Sequence, residues 1–504
     1  MIDEYKSLSE KFIKKGFWLY LFSFIIAPIG YIIKIIISNE LSVEEVGIIY
    51  SVMSLVTLLS SFNDFGLTES LNYFLPKYIE KKDYSKAKSV LNYTLLAQIF
   101  TSTIIGLFLL FGNDYLANNY FHHKESADIL FIFAFFFFGQ NLFAIVQTFF
   151  GSIQNTFYQK FIELIRMGFI LFFTIGIWFF DIGNIKTFSE AWVGGMYIGV
   201  IFAIIFFTKK YYLPYFKKEK TIWSIDLFKT LFSYALMILL ASQASTILGQ
   251  IDMQMIVYIL GMKDAGYYTN YLSIISIPFM VIGPIFAFLF PVFSSMHRKG
   301  EYEKITTIKQ IFTKYFIAIA FITNTLFFVF GPIIAYILFG EKFLYSGVIL
   351  QYSVFFLLFN FLLQINFNIL GGTGRVKERV KIISIAIIAN MITNYFLIKL
   401  IGVAGASLAT GIGWFIIYFL SERLLYKEYV IKYDFKFISK NIIFSAILGI
   451  FTWIFVLPFF ENLGRGISFA YLCLYSLIYL LFFAFVNREE FSLFIGEIKK
   501  IRKK

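Results

Sequence analysis

Apolar runs of about 20 residues recur along nearly the whole chain, and they constrain the fold more than any other feature. A helix needs about 20 mainly apolar residues to cross the ~30 Å hydrocarbon core of a bilayer. The chain is 59% hydrophobic and 15% charged, whereas soluble domains are about 45–50% apolar and about 25% charged. We place fourteen runs at 15–38, 45–75, 89–112, 127–150, 161–181, 190–208, 229–260, 265–291, 311–338, 345–370, 380–400, 402–420, 440–460 and 467–486. The first run lacks a signal-cleavage pattern, so the sequence predicts an all-α membrane protein of about fourteen transmembrane helices.

The basic residues predict the orientation of these helices. Of the 44 Lys and Arg, 37 lie at the two termini and in one set of alternate loops, six lie in the opposite loops, and Lys34 lies within a span. Basic loops mark the cytoplasmic side of a membrane protein. We therefore expect a multi-pass protein of the cell membrane with both termini cytoplasmic. The net charge of +13 then reflects topology rather than binding to nucleic acid.

An internal repeat at an offset of 219 residues divides the chain. The segment EVGIIY at 45–50 matches DAGYYT at 264–269, and several single residues match at the same offset: Gly30 with Gly249, Asn141 with Asn360, Lys160 with Arg379, and Gly194 with Gly413. Each repeat holds six spans, so the two repeats are parallel. The predicted division is an N-terminal six-helix lobe at 1–208, a cytoplasmic linker at 209–228, a C-terminal six-helix lobe at 229–425, and two further helices with a basic tail at 426–504.

Breaks at matching places in the two repeats point to a transporter, whose site lies at the repeat interface. Proline removes a backbone hydrogen bond, and glycine permits close helix packing. The positions concerned are Pro28 and Gly30 in the first span, Gly66 in the second, Gly249 in the seventh, and Gly283 and Pro284 in the eighth. We expect these helices to be interrupted or softened there and to line a cleft that opens. The alternative is that the kinks only fit one helix to another.

Ionisable residues inside spans are costly and are functional candidates. Lys34 and Asp252 lie at nearly equivalent places in the two repeats. They are candidates for a pair across the cleft, or Lys34 for binding an anionic group such as a phosphate. The alternatives are that Lys34 extends to the headgroups and that Asp252 is solvated. Asp64 adjoins the break at Gly66 and is a candidate either for a helix cap or for a substrate contact.

Several amides also lie in spans. Gln250 and Asn270, with Asn366 and Asn394, are candidates for contacts with sugar hydroxyls. Hydrogen bonds between helices are the alternative role. The segment GGTGR at 371–375 lacks the ending of a phosphate loop, so we expect a tight turn there. We expect no catalytic residues, no metal site and no cofactor; the adjacent His122 and His123 do not share one helical face.

Four stretches together resemble the polysaccharide/oligosaccharide flippase family of the multidrug/oligosaccharidyl-lipid/polysaccharide exporter superfamily. They are LSVEEVG at 41–47 with DFGL at 64–67; LGMKDAGYY at 260–268 with FP at 290–291; ILGGTGR at 369–375; and GVAGASLAT at 402–410. The resemblance implies two six-helix lobes that form a V-shaped cleft. It also implies that a prenyl-pyrophosphate-linked oligosaccharide or polysaccharide repeat unit moves from the inner to the outer leaflet by alternating access. We expect no enzyme activity. The expected partners are the lipid-linked glycan, membrane lipids and glycan-assembly proteins, with no nucleic acid, and we expect a monomer.

Three other function classes compete with this interpretation. A multidrug or cation antiporter of the same superfamily would couple transport through a buried carboxylate, for which Asp64 and Asp252 are the candidates. A membrane glycosyltransferase or polymerase would need carboxylates in larger outer domains, and the outer loops here are short. A scaffold protein would not explain the paired breaks.

Overall fold

The computed structural model describes residues 2–460, 463–488 and 490. Most of the basic tail predicted at the C-terminus lies outside the described residues. Within them the chain forms seventeen α-helices, which are α1 (Ile2–Glu40), α2 (Val43–Ser60), α3 (Leu67–Glu80), α4 (Tyr84–Phe111), α5 (Asn113–Asn119), α6 (Ser126–Ser152), α7 (Thr156–Phe179), α8 (Ile185–Phe207), α9 (Ile225–Ile259), α10 (Met262–Arg298), α11 (Tyr302–Phe339), α12 (Leu344–Ser353), α13 (Leu357–Gly372), α14 (Val376–Ile401), α15 (Val403–Leu425), α16 (Phe435–Phe451) and α17 (Arg465–Val486).

These helices account for the fourteen predicted spans. Twelve helical stretches of the described residues are long and apolar enough to cross a membrane, and the bent helix α9 is a thirteenth. Helix α10, with 37 residues, lies at the predicted eighth span. The second span consists of α2 and α3, and the tenth of α12, a short 3₁₀ segment and α13. The prediction of an all-α protein with about fourteen transmembrane helices is confirmed.

The chain divides into two compact units, residues 1–269 and 270–504. In the first unit, α7 packs against α1 and α8, α6 packs against α4 and α8, and α9 packs against α2 and α3. In the second unit, α14 and α15 form a hairpin, while α11 packs against α12, α13, α16 and α17. The predicted lobe boundary at the linker 209–228 concerns the sequence repeat rather than these packing units, and it stays a prediction.

The second span breaks where the sequence predicts it. Phe65 and Gly66 both adopt positive φ, 51° and 85°, a conformation that glycine tolerates best. A Cβ atom at Gly66 would lie 2.7 Å from the carbonyl oxygen of Ala235 in α9. The hydroxyl of Ser70 then donates to the carbonyl of Leu231 at 2.7 Å. The break therefore allows α3 to lie directly on the backbone of α9.

At the other predicted positions the helices continue. Helix α1 runs through Pro28 and Gly30, α9 runs through Gly249, and α10 runs through Gly283. The side chain of Pro284 lies outside the described ones. Helix α9 bends by 50° between Leu239 and Gln243, several residues before Gly249. The helices are not interrupted at these positions, because a long helix loses only one hydrogen bond at a proline and none at a glycine. That the helices are softened there stays a prediction.

Candidate functional site

Matching segments of the two repeats pack against each other in the first unit. A Cβ atom at Gly47 of α2 would lie 1.9 Å from the carbonyl oxygen of Met262. A Cβ atom at Gly266 of α10 would lie 2.0 Å from the carbonyl oxygen of Val43. The offset of 219 converts Val43 into Met262 and Gly47 into Gly266, so the two approaches are equivalent. We call this packing of 43–54 against 262–269 the symmetric contact; only glycines allow the two backbones to come so close.

The start of α2 is shaped by its own sequence. Ser42 accepts a hydrogen bond from the N–H of Glu45 at 3.2 Å, and the Glu45 carboxylate accepts one from the N–H of Ser42 at 2.8 Å. This reciprocal pair is a capping box. It fixes the first turn of α2, which carries Gly47 to the symmetric contact.

Neutral hydrogen bonds surround the symmetric contact. The amide of Gln254 donates to the hydroxyl of Ser54 at 2.9 Å and to the carbonyl of Ser51 at 3.3 Å. The Tyr120 hydroxyl donates to the Gln254 carbonyl oxygen at 2.9 Å, and burial raises the pKa of Tyr120 to about 12. Gln254, 6% exposed, is therefore a helix-to-helix bridge.

Lys34 lies at the end of the symmetric contact. Its ammonium donates to the backbone carbonyl of Thr269 at 2.6 Å and to the Thr269 hydroxyl at 2.9 Å. The same ammonium lies 4.3 Å from the ring centroid of Tyr50. Tyr50 and Thr269 are equivalent positions of the two repeats. Lys34 thus joins a residue of one repeat to its counterpart in the other through neutral partners.

Asp252 lies in α9 and is 3% exposed. Its carboxylate accepts a hydrogen bond from the Tyr268 hydroxyl at 2.9 Å. Tyr268 directly precedes Thr269, the partner of Lys34. Lys34 and Asp252 thus bind neighbouring residues of α10. The sequence suggested that these two residues pair with each other, but in the structure each has another hydrogen-bond partner.

Asp64 makes the hydrogen bonds of a helix cap. One carboxylate oxygen accepts from the N–H of Gly66 at 3.0 Å. The other accepts from the N–H of Thr68 at 2.6 Å and from the Thr68 hydroxyl. These donors belong to the start of α3, whose first N–H groups have no partner within the helix. The carboxylate therefore stabilises the break in the second span.

The remaining predicted polar residues differ in their burial and in their hydrogen-bond partners. Gln250 is half-buried in α9, and Asn270 is fully buried in α10. Their contact with substrate stays a prediction. Asn366 donates to the Ser421 hydroxyl and to the Glu422 carboxylate, both at 3.1 Å, which is the alternative role of an interhelical hydrogen bond.

The sequence interpretation missed a buried ion pair in the second unit. Lys309 of α11 is fully buried, and its ammonium lies 2.9 Å from the carboxylate of Glu422 in α15. It also donates to the carbonyl of Tyr429 at 3.3 Å. From sequence, Lys309 is assigned to a basic cytoplasmic loop, because it precedes the apolar run at 311–338. The sequence signal that could have revealed this ion pair was Glu422, an acidic residue at the end of an apolar span.

Among the described residues no group of three or more His, Cys, Asp and Glu side chains is placed to hold a metal ion. His123 instead lies 3.4 Å from the carboxylate of Glu44. The segment at 371–375 forms the expected turn after α13, with Gly374 at φ 78°.

Comparison with solved structures identifies the fold. The lipid II flippase MurJ in an inward closed conformation matches with a TM-score of 0.70 and 15% identity over 94% of this chain and 99% of that chain. A multidrug resistance MATE family transporter of the MOP superfamily, in an inward-facing conformation, matches with a TM-score of 0.64 and 15% identity over 81% and 93%. At these identities the likeness concerns the fold alone, which this chain shares with both proteins.

Comparison of sequences identifies the family. An uncharacterized membrane protein of Methanocaldococcus jannaschii, MJ1068, is 28% identical over 499 residues, which are 94% of this chain and 95% of that protein. The model of the family described as "Polysaccharide biosynthesis protein" matches residues 12–297, more than half of the chain. The chain therefore belongs to the polysaccharide biosynthesis protein family.

Proposed function

We propose that this protein is a flippase that moves a prenyl-pyrophosphate-linked oligosaccharide or polysaccharide repeat unit across the cell membrane. The movement runs from the inner to the outer leaflet by alternating access, with both termini of the chain in the cytoplasm. Membership of the family and the fold of the MOP superfamily support a transporter. The observation that carries the finer proposal is Lys34, a membrane-embedded cation bound across two equivalent positions of the repeats.

A membrane-embedded cation suits the chemistry of the cargo. A sugar-phosphate headgroup is costly to place in hydrocarbon unless its polar groups are paired. Lys34 is held by a carbonyl, a hydroxyl and an aromatic ring. A phosphate oxygen forms a stronger, charge-assisted hydrogen bond with an ammonium than these neutral acceptors do. When the symmetric contact opens, Lys34 loses Thr269, and its donors become available to the phosphate.

Substitution of Lys34 tests this role in cells depleted of the wild-type protein. We expect Lys34→Ala to leave the lipid-linked glycan in the inner leaflet, as measured by leaflet-selective labelling of the sugar and mass spectrometry of lipid extracts. Lys34→Arg, which keeps the charge, should retain part of the transport. Lys399→Ala is the matched control, because Lys399 also lies over a tyrosine ring, at 3.9 Å from the Tyr395 centroid, but is exposed.

Each result has a distinct meaning. Full rescue by Lys34→Ala would remove Lys34 from the proposal and leave the flippase function standing. Normal glycan export after complete depletion of the protein would overturn the flippase function itself.

A second candidate function is a cation antiporter, which the buried carboxylate of Asp252 favours. Such a transporter needs a carboxylate that exchanges a proton or an ion inside the membrane. Asp64 is less suited, because its two oxygens accept three hydrogen bonds at the helix break. Uptake of a cationic dye by proteoliposomes, abolished by Asp252→Asn, would favour the antiporter over the flippase.

A further inference from the structure

Two cavities lie along the seam between α11 and α16 in the second unit, outside the symmetric contact. Phe437 of α16 packs with Ala318 of α11 in a buried cluster. Further along, a Cβ atom at Gly449 would lie 3.2 Å from the Thr325 methyl group. The α11 residues that line the seam are spaced by three and four, so they form one helical face; they are Gln310, Thr313, Lys314, Ile317, Phe321, Asn324, Thr325 and Phe328.

One end of this seam is a small polar cavity of about 90 Å³. Lys314 lies in its wall, 2.9 Å from the Asp434 carboxylate and 4.7 Å from the ring centroid of Phe437. Lys432 also lines the cavity and is exposed, and among the described residues it has no ion-pair partner. Two lysines and one aspartate leave a net positive charge. The cavity therefore favours an anion.

The other part of the seam is an apolar groove of about 410 Å³, a size typical of sites for small molecules. Phe321, Phe355, Ala446 and Trp453 are among its lining residues. The hydroxyl of Thr325, which also lines it, donates to the backbone carbonyl of Phe321 at 2.9 Å and so does not need an outside partner. The groove therefore accepts a hydrocarbon chain without leaving this hydroxyl unpaired.

The distance between the two parts matches one leaflet of a membrane. Phe321 and Thr325 follow Lys314 by seven and eleven residues. A helix rises about 1.5 Å per residue, so they lie about 10 and 16 Å along α11 from Lys314. Half of the ~30 Å hydrocarbon core is about 15 Å. A phosphate in the polar cavity therefore places its acyl chain beside the groove.

We propose that the seam binds one anionic phospholipid, with its phosphate at Lys432 and Lys314 and an acyl chain in the apolar groove. A soluble anion would use the cavity and leave the groove uncovered, whereas a zwitterionic lipid would gain nothing from the excess lysine. The site belongs to the second unit and to a helix beyond the duplication. It is therefore separate from the site proposed for the transported lipid at Lys34.

The proposal is tested with the full-length protein and vesicle lipids of stated composition. Native mass spectrometry after extraction from phosphatidylglycerol or from phosphatidylcholine counts the lipids that stay bound. We expect one phosphatidylglycerol to be retained in preference to phosphatidylcholine. Lys432→Gln should lower that preference about fivefold, since a lysine near an anionic lipid contributes about 1 kcal/mol.

Matched variants separate the site from the general membrane surface. Ala446→Phe fills the groove from an exposed position and should also reduce the retained phosphatidylglycerol. Lys436→Gln removes a neighbouring exposed charge that does not line the cavity, and Ile447→Phe enlarges an exposed residue that does not line the groove. Both of these controls should bind as the wild type does.

Three results would overturn the proposal. Equal retention of phosphatidylglycerol and phosphatidylcholine would exclude selection by charge. Equal effects of the lining variants and their controls would exclude this seam as the site. Displacement of phosphatidylglycerol from the seam by a prenyl phosphate, with loss of glycan transport in Ala446→Phe, would assign the seam to the transported lipid instead.

Discussion

A buried helix contact of the first unit and one of the second unit are held together by different means. In the first unit, α2 and α10 meet backbone to backbone at Gly47 and Gly266, and neutral hydrogen bonds surround them. In the second unit, α11 and α15 are joined by the buried ion pair of Lys309 with Glu422. A neutral hydrogen bond contributes only about 0.5–1.5 kcal/mol net, whereas removing one partner of a buried ion pair costs about 3–5 kcal/mol. We infer that a substitution that removes one partner costs more at the ion pair than at a neutral hydrogen bond of the symmetric contact.

The repeat sharpens this comparison, because the ion pair is not duplicated. The positions 219 residues before Lys309 and Glu422 are Val90 and Ala203, and both are fully buried. The first repeat therefore packs apolar side chains where the second uses opposite charges. A buried ion pair and apolar residues of suitable volume are comparable in stability, so both solutions support the same fold.

The largest effect is expected from breaking the ion pair of the second unit. Lys309→Val alone leaves the Glu422 carboxylate without its cation and should lower the free energy of unfolding by about 3–5 kcal/mol. The double variant Lys309→Val with Glu422→Ala introduces the residues of the first repeat and should recover most of that loss. Chemical denaturation in detergent of the wild type, the two single variants Lys309→Val and Glu422→Ala, and the double variant measures the interaction energy between the two residues. Additive effects of the two substitutions would show that the pair contributes no interaction energy.

A smaller effect is expected from crowding the symmetric contact. Gly47→Ala places a Cβ atom 1.9 Å from the Met262 carbonyl oxygen, so α2 and α10 must move apart. We expect a loss of about 1–3 kcal/mol in the free energy of unfolding. Gly266→Ala should behave alike, because its Cβ atom meets the equivalent carbonyl at 2.0 Å. Gly249→Ala is the control, since nothing lies within 4 Å of its Cβ position; the comparison fails if Gly47→Ala is as stable as this control.

The sequence predicts the frame of the molecule well, because the bilayer imposes one length on every span. Helices lie at all fourteen predicted spans, and the break at Gly66 and the turn at 371–375 are found where the sequence places them. Lys309 was misread for a physical reason. Helix α11 has 38 residues, about 57 Å at 1.5 Å per residue, so it extends well beyond the bilayer and carries Lys309 into a packed interior.

Packing decides the features that the sequence pattern does not contain. The bend of α9 follows Leu239, where no glycine or proline marks it. The repeat matched Gly47 with Gly266 and Tyr50 with Thr269, but a sequence match does not show that equivalent positions touch. The contact at Lys34 arises only in the folded protein, because its partner Thr269 is 235 residues away in the chain.

The smallest effect is expected at two aspartates that cap helices, Asp434 in the second unit and Asp83 in the first. Asp434 accepts from the N–H of Phe437 at 3.0 Å and from Lys314 at 2.9 Å, and both lower the pKa of its carboxyl. Burial alone would raise the pKa of Asp83, but the N–H and the ammonium of Lys86 lower it.

A carboxyl with a lowered pKa stabilises the folded state above its unfolded pKa of about 3.9, and the contribution is lost as pH falls through the lowered value. Asn caps a helix about as well as Asp, so Asp434→Asn removes the charge and keeps the cap. We expect Asp434→Asn to cost about 0.2–1 kcal/mol at pH 6, the range for an exposed ion pair. Thermal unfolding of wild type and variant between pH 6 and pH 3 should show this difference shrinking as the pH falls. Asp83→Asn should follow the same course in the first unit. If the stability difference between wild type and variant grew toward pH 3 at either position, the assigned direction of the pKa change there would be wrong. The two caps would then also not be alike.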